Sequence, residues 1–170
     1  MSDIYLEIPG YSDSPAVAGD VTDKKFKQHI QVASLTTGMT NPSTVSVGTQ
    51  AGSAGGGGKV IMQDVTFTKL CDRASPLLWL RCAKGDHFRR FEFKYVISRG
   101  NSSDVFKTVT LSDVLVTSFA HSGSVGSELP QENLALNFAK IEIKYWPRDS
   151  AGGYGQPESA GYDLVQAKSL

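Results

Sequence analysis

RFEFKYVI, residues 90–97, is the stretch that shows most plainly how this chain folds. Apolar side chains occupy its odd positions from Phe91 to Ile97, and charged side chains occupy its even positions from Arg90 to Lys94. A period of two residues is typical of a β-strand with one buried face. The same alternation recurs at Ile4, Leu6 and Ile8, at Ile30 and Val32, at Val105, Val109 and Leu111, at Val114 and Val116, and at Leu134, Leu136 and Phe138. We therefore expect a mainly β protein with about eight short strands.

The last strong apolar run changes its phase. Its apolar residues lie on even positions as far as Phe138 and on odd positions from Ile141 to Tyr145. One face can stay buried only if a β-bulge or a break lies near Ala139-Lys140. Pro147 is expected to end this strand, because proline cannot donate to the ladder of hydrogen bonds.

One segment predicts a helix. Ser75 suits the N-cap, Pro76 suits the first helical position, the residues from Leu77 to Lys84 fill about two turns, and Gly85 suits the C-terminus. The segment is apolar almost all round, so we expect it to be packed, as a plug or as a lid on one sheet. The elements together predict a small β-barrel of two packed sheets with one short flanking α-helix.

Two polar segments show neither the alternation of a strand nor the periodicity of a helix. Residues 36–58 are rich in Gly, Ser and Thr, and residues 148–161 resemble them in composition. Loops beyond about a dozen residues inside a compact domain are usually functional or disordered. We interpret 36–58 as an extended glycine-rich arm that reaches another subunit. Its expected contact residues are Thr49, Gly52, Gly55, Gly56, Gly57, Gly58 and Lys59.

The glycines before Lys59 invite comparison with the phosphate-binding loop G-x-x-x-x-G-K-[ST]. Ser53 stands where that motif opens with glycine, and Val60 stands where it needs a hydroxyl group. Strand-like residues follow instead of a helix. We therefore interpret these glycines as a hinge that leads into a strand.

Length and charge limit the possible functions. The chain has 170 residues, enough for a single domain over 1–170 with one core. Seventeen acidic and seventeen basic residues cancel, which argues against binding to nucleic acid or to an anionic membrane surface. No run approaches the roughly 20 apolar residues of a membrane span, and the N-terminus lacks a signal-peptide pattern. We expect synthesis in the cytoplasm and no direct insertion into a membrane.

The sequence offers few candidates for chemistry. Cys71 and Cys82 lack the spacing of a zinc site and are expected to be buried thiols that form no disulfide. His29, His87 and His121 lie in no recognisable catalytic motif. We expect no catalytic residue, no metal and no cofactor. A small-ligand binder or hydrolase that uses the loops at His87 and His121 remains an alternative.

Short motifs follow one another along most of the chain. They are Gly58-Lys59-Val60, Gln63-Asp64, Phe67-Thr68-Lys69, 72–77, 85–88, 115–118, 123–126, 132–139 and 161–164. In this order they resemble the Hcp family, the haemolysin-coregulated tube proteins of the bacterial type VI secretion system. The family-signature positions are Gln63, Asp64, Thr68, Lys69, Ser75, Pro76, Glu132, Asn133 and Phe138.

The resemblance implies a structural subunit and no enzyme. Members of the family form hexameric rings with a wide pore, and the rings stack into a tube that is driven out inside a contractile sheath. The implied partners are further copies of the chain, a spike protein, the sheath and effector proteins carried in the lumen. The resemblance also implies export from the bacterial cytoplasm without a cleaved signal. A tail-tube protein of a contractile phage or phage-like particle is the alternative of the same class.

Overall fold

A computed structural model describes residues 2–42, 59–100 and 102–170. In these residues the chain forms eleven strands and one helix. They are β1 Ser2–Glu7, β2 Ile30–Val32, β3 Ser34–Thr36, β4 Met39–Thr40, β5 Ile61–Met62, β6 Val65–Leu70, α1 Ser75–Lys84, β7 Phe88–Arg99, β8 Ser102–Ser122, β9 Gln131–Tyr145, β10 Glu158–Asp163 and β11 Lys168–Ser169. The mainly β class is confirmed. The expectation of short strands is wrong for β7, β8 and β9, which have 12, 21 and 15 residues.

Nine of the strands form one antiparallel sheet. Its order is β11-β10-β9-β8-β7-β1-β2, and β6 joins it by pairing with both β9 and β3. The strands β4 and β5 form a separate two-stranded ribbon. The expected barrel of two packed sheets is therefore wrong in its detail, since the described residues show one large sheet and no closed barrel.

The three long strands explain why two sheets become one. The strand β8 pairs with β7 over 102–114 and with β9 over 107–122. The strand β9 pairs in turn with β6 over 131–136 and with β10 over 140–145. Along one edge β9 thus exchanges β6 for β10, while its other edge stays paired with β8, so the ladder is continuous across the sheet.

Most buried apolar side chains of this sheet form one core, and Tyr5, Phe26 and Val96 form a second, smaller cluster. Phe67 and Phe93 are 1% and 0% exposed, and their rings meet edge to face with centroids 5.4 Å apart. Leu6 and Ile30 pair across β1 and β2 and are also fully buried.

The alternation therefore predicted the core faces of these strands, except that in β7 it holds only as far as Phe93, because the next buried residue is Val96 and not Tyr95 or Ile97. The β7–β8 register shifts between Tyr95 and Val96.

The burial changes phase near Ala139-Lys140, but the predicted bulge or break is absent, because β9 runs without interruption from Gln131 to Tyr145. Along β9 the buried face moves from the even-numbered Phe138 to the odd-numbered Ile141. The same move occurs on the neighbouring strands, between Val114 and Leu111 on β8 and between Phe88 and Phe91 on β7. A bulge is not the cause, because the β8–β9 register is the same on both sides. Asp113 lies in this line with a φ of 54°. Aspartate tolerates this left-handed conformation better than most residues.

The ends of α1 are only partly as predicted. Ser75 as the N-cap is wrong, because Ala74 occupies that position and makes no side-chain capping hydrogen bond. Pro76 lies in the first turn as expected. Gly85 ends the helix with a φ of 70°, and its N–H donates to the carbonyl oxygen of Arg81 at 2.9 Å. Glycine adopts this conformation without steric cost.

The packing of α1 also differs from the prediction. Leu78 is fully buried, but Trp79 and Leu80 are 55% and 45% exposed. The helix packs mainly on β8. It is therefore a lid on one part of the sheet with an exposed apolar side, and it is not a plug.

The two polar segments are shorter than predicted. Thr36 ends β3, and residues 39–40 form β4, so the segment 36–58 begins inside strands. Residues 158–161 belong to β10, so the loop in the segment 148–161 ends before residue 158. No helix in the described residues has the length and apolar character needed to cross a membrane.

Candidate functional site

Family-signature residues from three elements meet at the start of α1. The Nζ atom of Lys69 donates to Oε2 of Glu132 at 2.7 Å and to Oγ of Ser75 at 2.9 Å. It also lies 2.8 Å from Oδ1 of Asp72. The side chains of Lys69 and Glu132 are only 0% and 4% exposed. We call Lys69, Asp72, Ser75 and Glu132 the buried ionic cluster.

Strand register and a tight turn build this cluster. The β6–β9 ladder places Lys69 directly opposite Glu132. Asp72 follows β6, and its Oδ1 accepts the backbone N–H of Ala74 at 3.0 Å, which brings Ser75 back toward the lysine. A buried ammonium group is tolerated only when it is paired and hydrogen-bonded. The cluster therefore ties β6, β9 and the first turn of α1 together.

Asp64 joins three segments on the surface. Its Oδ2 accepts a hydrogen bond from Oγ1 of Thr117 at 2.9 Å, and its Oδ1 accepts one from Nδ2 of Asn137 at 3.2 Å. The β8–β9 register shifts between Val116 and Ser118, so Thr117 lies at a bulge. Asp64 thus fixes the bulge. The adjacent signature residue, Gln63, donates its backbone N–H to the carbonyl oxygen of Gly38 at 3.0 Å, beside the β4–β5 ribbon.

Small uncharged side chains, six of the eight polar, form two rows across four neighbouring strands. Strand pairing aligns β3, β6, β9 and β8 in this order. The first row is Ser34, Thr68, Asn133 and Ala120, and the second is Thr36, Thr66, Ala135 and Ser118. All eight residues are uncharged, and they are exposed or half-buried. We call them the polar rows, and they contain the signature residues Thr68 and Asn133.

The other signature residues have simple positions. Phe138 is 6% exposed and belongs to the core. Pro76 borders a small cavity beside the buried ionic cluster. Of the expected arm contacts, Thr49, Gly52, Gly55, Gly56, Gly57 and Gly58 lie outside the described residues. Lys59 is exposed and borders an apolar cavity of about 670 Å³ next to Met39 and Tyr162. Their role in subunit contacts stays a prediction.

The histidines and cysteines lie in separate surroundings. His87 Nδ1 lies 2.8 Å from Asp113 Oδ1 at an exposed position, whereas His121 lies opposite Glu132 across β8 and β9. His87 and His121 border different cavities. Cys71 and Cys82 are free thiols, as predicted, but both are half-buried instead of buried. Within the described ranges no group of three or more His, Cys, Asp or Glu side chains could hold a metal ion.

Asp163 in the last motif is a buried carboxylate. Its Oδ1 accepts the backbone N–H groups of Gln166 and Val165, each at 2.9 Å, and Lys140 Nζ lies 3.5 Å from Oδ2. The hydrogen bond from Gln166 is the largest cause of a lowered pKa of Asp163, and burial opposes it. The carboxylate thereby closes the turn between β10 and β11.

We expect Asp163→Asn to remove part of the acid sensitivity of the protein. Because the folded-state pKa of Asp163 is lowered, its stabilising contribution is present above the unfolded pKa of about 3.9 and is lost as the pH falls through the folded pKa. The variant should be less stable at pH 7 and should show a shallower fall of unfolding free energy between about pH 5 and pH 2. Urea unfolding across this pH range measures both effects. Asp104→Asn, at an exposed position, is the control, and an Asp163→Asn curve parallel to the wild type would contradict the expectation.

Comparison with known proteins gives one consistent result. Residues 5–145 match the model of the family described as "Type VI secretion system effector, Hcp". Protein hcp1 of Pseudomonas aeruginosa is 33% identical over 109 residues, which are 64% of this chain and 67% of that protein. Among solved structures, one of a type six secretion system protein superposes with a TM-score of 0.86 at 28% identity and covers 100% of both chains. Hcp1 from Salmonella typhimurium superposes with a TM-score of 0.75 at 29% identity and covers 99% of both.

Proposed function

Because the chain belongs to the Hcp family, the tube proteins of type VI secretion, we propose that it forms hexameric rings that stack into a tube. The likeness over the whole chain carries this proposal, since the TM-score of 0.86 is reached with full coverage on both sides. The family model also spans β6, α1 and β9, which hold the buried ionic cluster. The family assignment favours a secretion tube over the tail tube of a phage.

The surface of the described residues supports self-association. A ring needs a head-to-tail contact in which one patch meets a different patch on the next copy. Large apolar side chains are exposed at several places that such contacts would cover. They are Tyr11, Met39, Ile61, Leu70, Trp79, Leu80, Val125, Leu129, Tyr145, Val165 and Leu170. Assembly requires strand edges and apolar patches and no chemical step.

Negative-stain electron microscopy of the purified protein tests the ring directly. Uniform rings with an open pore are the expected result, and stacked rings would extend it to the tube. Dispersed monomers over a wide concentration range would overturn the proposal. In that case the cavity at His87 would become the first place to look for a ligand.

The arm that precedes Lys59 is proposed to bind a neighbouring subunit or ring. Deleting Thr49 to Gly57 should weaken ring or tube assembly and leave the monomer folded, because the deleted residues lie between β4 and β5 and remove no described strand. Circular dichroism reports the fold, and sedimentation and microscopy report assembly. A matched control replaces the same residues by a Gly-Ser segment of equal length, which separates loop length from loop sequence. Unchanged assembly of the deletion variant would contradict this role.

We assign the polar rows to the wall of the channel. A surface that transports different proteins should offer no strong charge and no deep apolar pocket. The polar rows are uncharged and small, whereas the outer side of β7 carries Arg90, Glu92 and Lys94. Ser34 and Thr68 also bond to each other through their hydroxyl groups at 2.6 Å, which reduces their demand for other partners. This arrangement supports a wall along which cargo slides.

The remaining partners follow from the same assignment. Effector proteins would travel in the lumen, a spike protein would lie at the tip, and a contractile sheath would surround the stacked rings. The route starts in the bacterial cytoplasm and ends outside the cell through the secretion apparatus, with no cleaved signal. No enzymatic activity is proposed for the chain.

A further inference from the structure

An apolar cavity lies between the β4–β5 ribbon and the large sheet. Its volume is about 670 Å³. The ribbon contributes Met39 and Met62, which lie opposite each other across its two strands. The sheet contributes Ile143 and Ala160, which lie opposite each other across β9 and β10. The ribbon and the sheet thus form a slot with two aliphatic walls.

The apolar lining of this cavity continues from the core to the surface. Ile141 borders the cavity, belongs to the core and is 7% exposed. Ile143, Tyr162 and Met62 are partly buried and pack against the core. Met39 on the ribbon is 60% exposed. Apolar surface that is left in water is stabilised when an apolar molecule covers it, and contiguous surface of this kind marks binding sites.

The charge beside this cavity is positive. Lys59 is the one charged residue among the described residues that border it, and its side chain is exposed. Within the described part of the chain, Lys59 forms no ion pair, and no carboxylate borders the cavity. A lysine stem can cover apolar surface while its ammonium group stays in water. The cavity therefore favours a molecule with an apolar body and an anionic end.

We propose that this cavity binds a free aliphatic carboxylate of medium chain length. The alkyl chain lies between the ribbon and the strands β9 and β10, and the carboxylate pairs with Lys59. The volume falls within the range of ligand cavities, which is about 300 to 1,000 Å³. Methionine side chains are flexible and adapt to the shape of an apolar partner, so Met39 and Met62 can follow alkyl chains of different length.

A larger cavity of about 720 Å³ has a different lining. It is bordered by charged residues of both signs. Arg89 lies 2.7 Å from Asp13, and His87 lies 2.8 Å from Asp113, so these charges have partners within the chain. Only the cavity at the ribbon combines aliphatic walls with a lysine that has no carboxylate partner in the described residues.

Calorimetric titration of the full-length protein with sodium octanoate and sodium decanoate, below their micelle concentrations, tests the proposal. We expect saturable binding that tightens about fourfold for each added methylene, because each one is buried in the cavity. n-Octylammonium has a chain of the same length and the opposite charge, and it should bind about fivefold more weakly than octanoate. In a sample with labelled methionine methyl groups, the signals of Met39 and Met62 should shift with the same affinity. No saturable binding of decanoate, or equal binding of octanoate and octylammonium, would overturn the proposal.

Two variants with matched controls locate the bound carboxylate. Ala160→Leu should weaken decanoate binding about tenfold, which corresponds to the displacement of about two methylenes from the cavity. Ser159→Leu adds the same side chain on the opposite face of β10 and should leave the affinity unchanged. Lys59→Met should weaken binding about two- to fivefold, whereas Lys24→Met, at an exposed position that does not border the cavity, should have no effect. Circular dichroism reports the fold, and unchanged affinity in either folded site variant would overturn the proposal.

A second copy of the chain is the competing occupant, since Met39 is among the exposed apolar residues that ring contacts could cover. Sedimentation during the decanoate titration separates the two cases. Binding with the assembly state retained would support the carboxylate as the occupant. Binding that occurs only as assemblies dissociate would show that a neighbouring copy fills the cavity, and would overturn the proposal. Microscopy of the protein without decanoate reports the rings separately, so failure here would leave the proposed function untouched.

Discussion

Replacing Lys69 with methionine is expected to lower the unfolding free energy by about 3–5 kcal/mol, which is the usual cost of removing one partner from a buried ion pair. Methionine fills a similar volume, so the change tests the charge more than the packing. It leaves the carboxylates of Asp72 and Glu132 close together with no cation between them. Folded domains have a total stability of about 5–15 kcal/mol, so the loss is a large fraction of it.

Urea unfolding at pH 7 measures this loss. Lys144→Met is the matched control, because Lys144 lies 3.8 Å from Glu142 and the two side chains are 38% and 44% exposed. That variant should change the unfolding free energy by no more than about 0.5 kcal/mol. The double variant Lys69→Met/Glu132→Leu should recover part of the loss, since one of the stranded charges is gone. Equal effects of Lys69→Met and Lys144→Met would refute the role of the buried ionic cluster.

The alternation of residues in β6 and β9 already places Lys69 and Glu132 on buried faces. In the sequence analysis, however, only the resemblance to the Hcp family singled these two residues out. Val65, Phe67 and Lys69 occupy alternate positions of β6, and the first two are core residues. The same period that predicted the core face of the strand thus places a lysine on it. Glu132 shares its face of β9 with Leu134 and Leu136 in the same way. Alternation is a local property, so it could be read residue by residue.

The partners of these residues could not be predicted in this way. Pairing of Lys69 with Glu132 depends on the β6–β9 register, which joins residues 63 positions apart. The pairing of β9 with β8, β6 and β10, which gives one sheet where two were expected, depends on the same long-range contacts. The wrong N-cap has a related cause, because the hydroxyl group of Ser75 is engaged by Lys69 and Glu132.

The helix shows a different limit of prediction from sequence. Its apolar residues predicted a packed element, yet Trp79 and Leu80 remain exposed in the single chain. A pattern of apolar residues indicates that a face is to be covered and does not indicate which chain covers it. In a protein that is proposed to work as a ring, part of the apolar surface belongs to contacts between copies.

An arginine at Thr66 is expected to impair passage of cargo through the tube while the rings still form. Thr66 lies in the second of the polar rows, exposed, between Thr36 and Ala135. Substitutions at exposed positions without special contacts usually change stability by no more than about 0.5 kcal/mol. The new charge is repeated in every subunit, so a neutral wall becomes a strongly positive one. A channel lined by one sign of charge changes the local concentration of a charged partner by about tenfold or more. Delivery of basic cargo should therefore fall by a similar factor.

Delivery of effectors is measured in bacteria whose own copy of the protein is replaced by the variant, and microscopy of the purified variant reports the rings. Ser98→Arg on β7 adds the same charge at an exposed position away from the polar rows and should leave delivery unchanged.

Absence of rings in the Thr66→Arg variant would place the polar rows in a subunit contact. Normal rings with normal delivery would show that the polar rows face away from the channel. Impaired delivery of basic cargo and retained delivery of acidic cargo would identify the charge of the wall as the cause, since a blocked pore would exclude both.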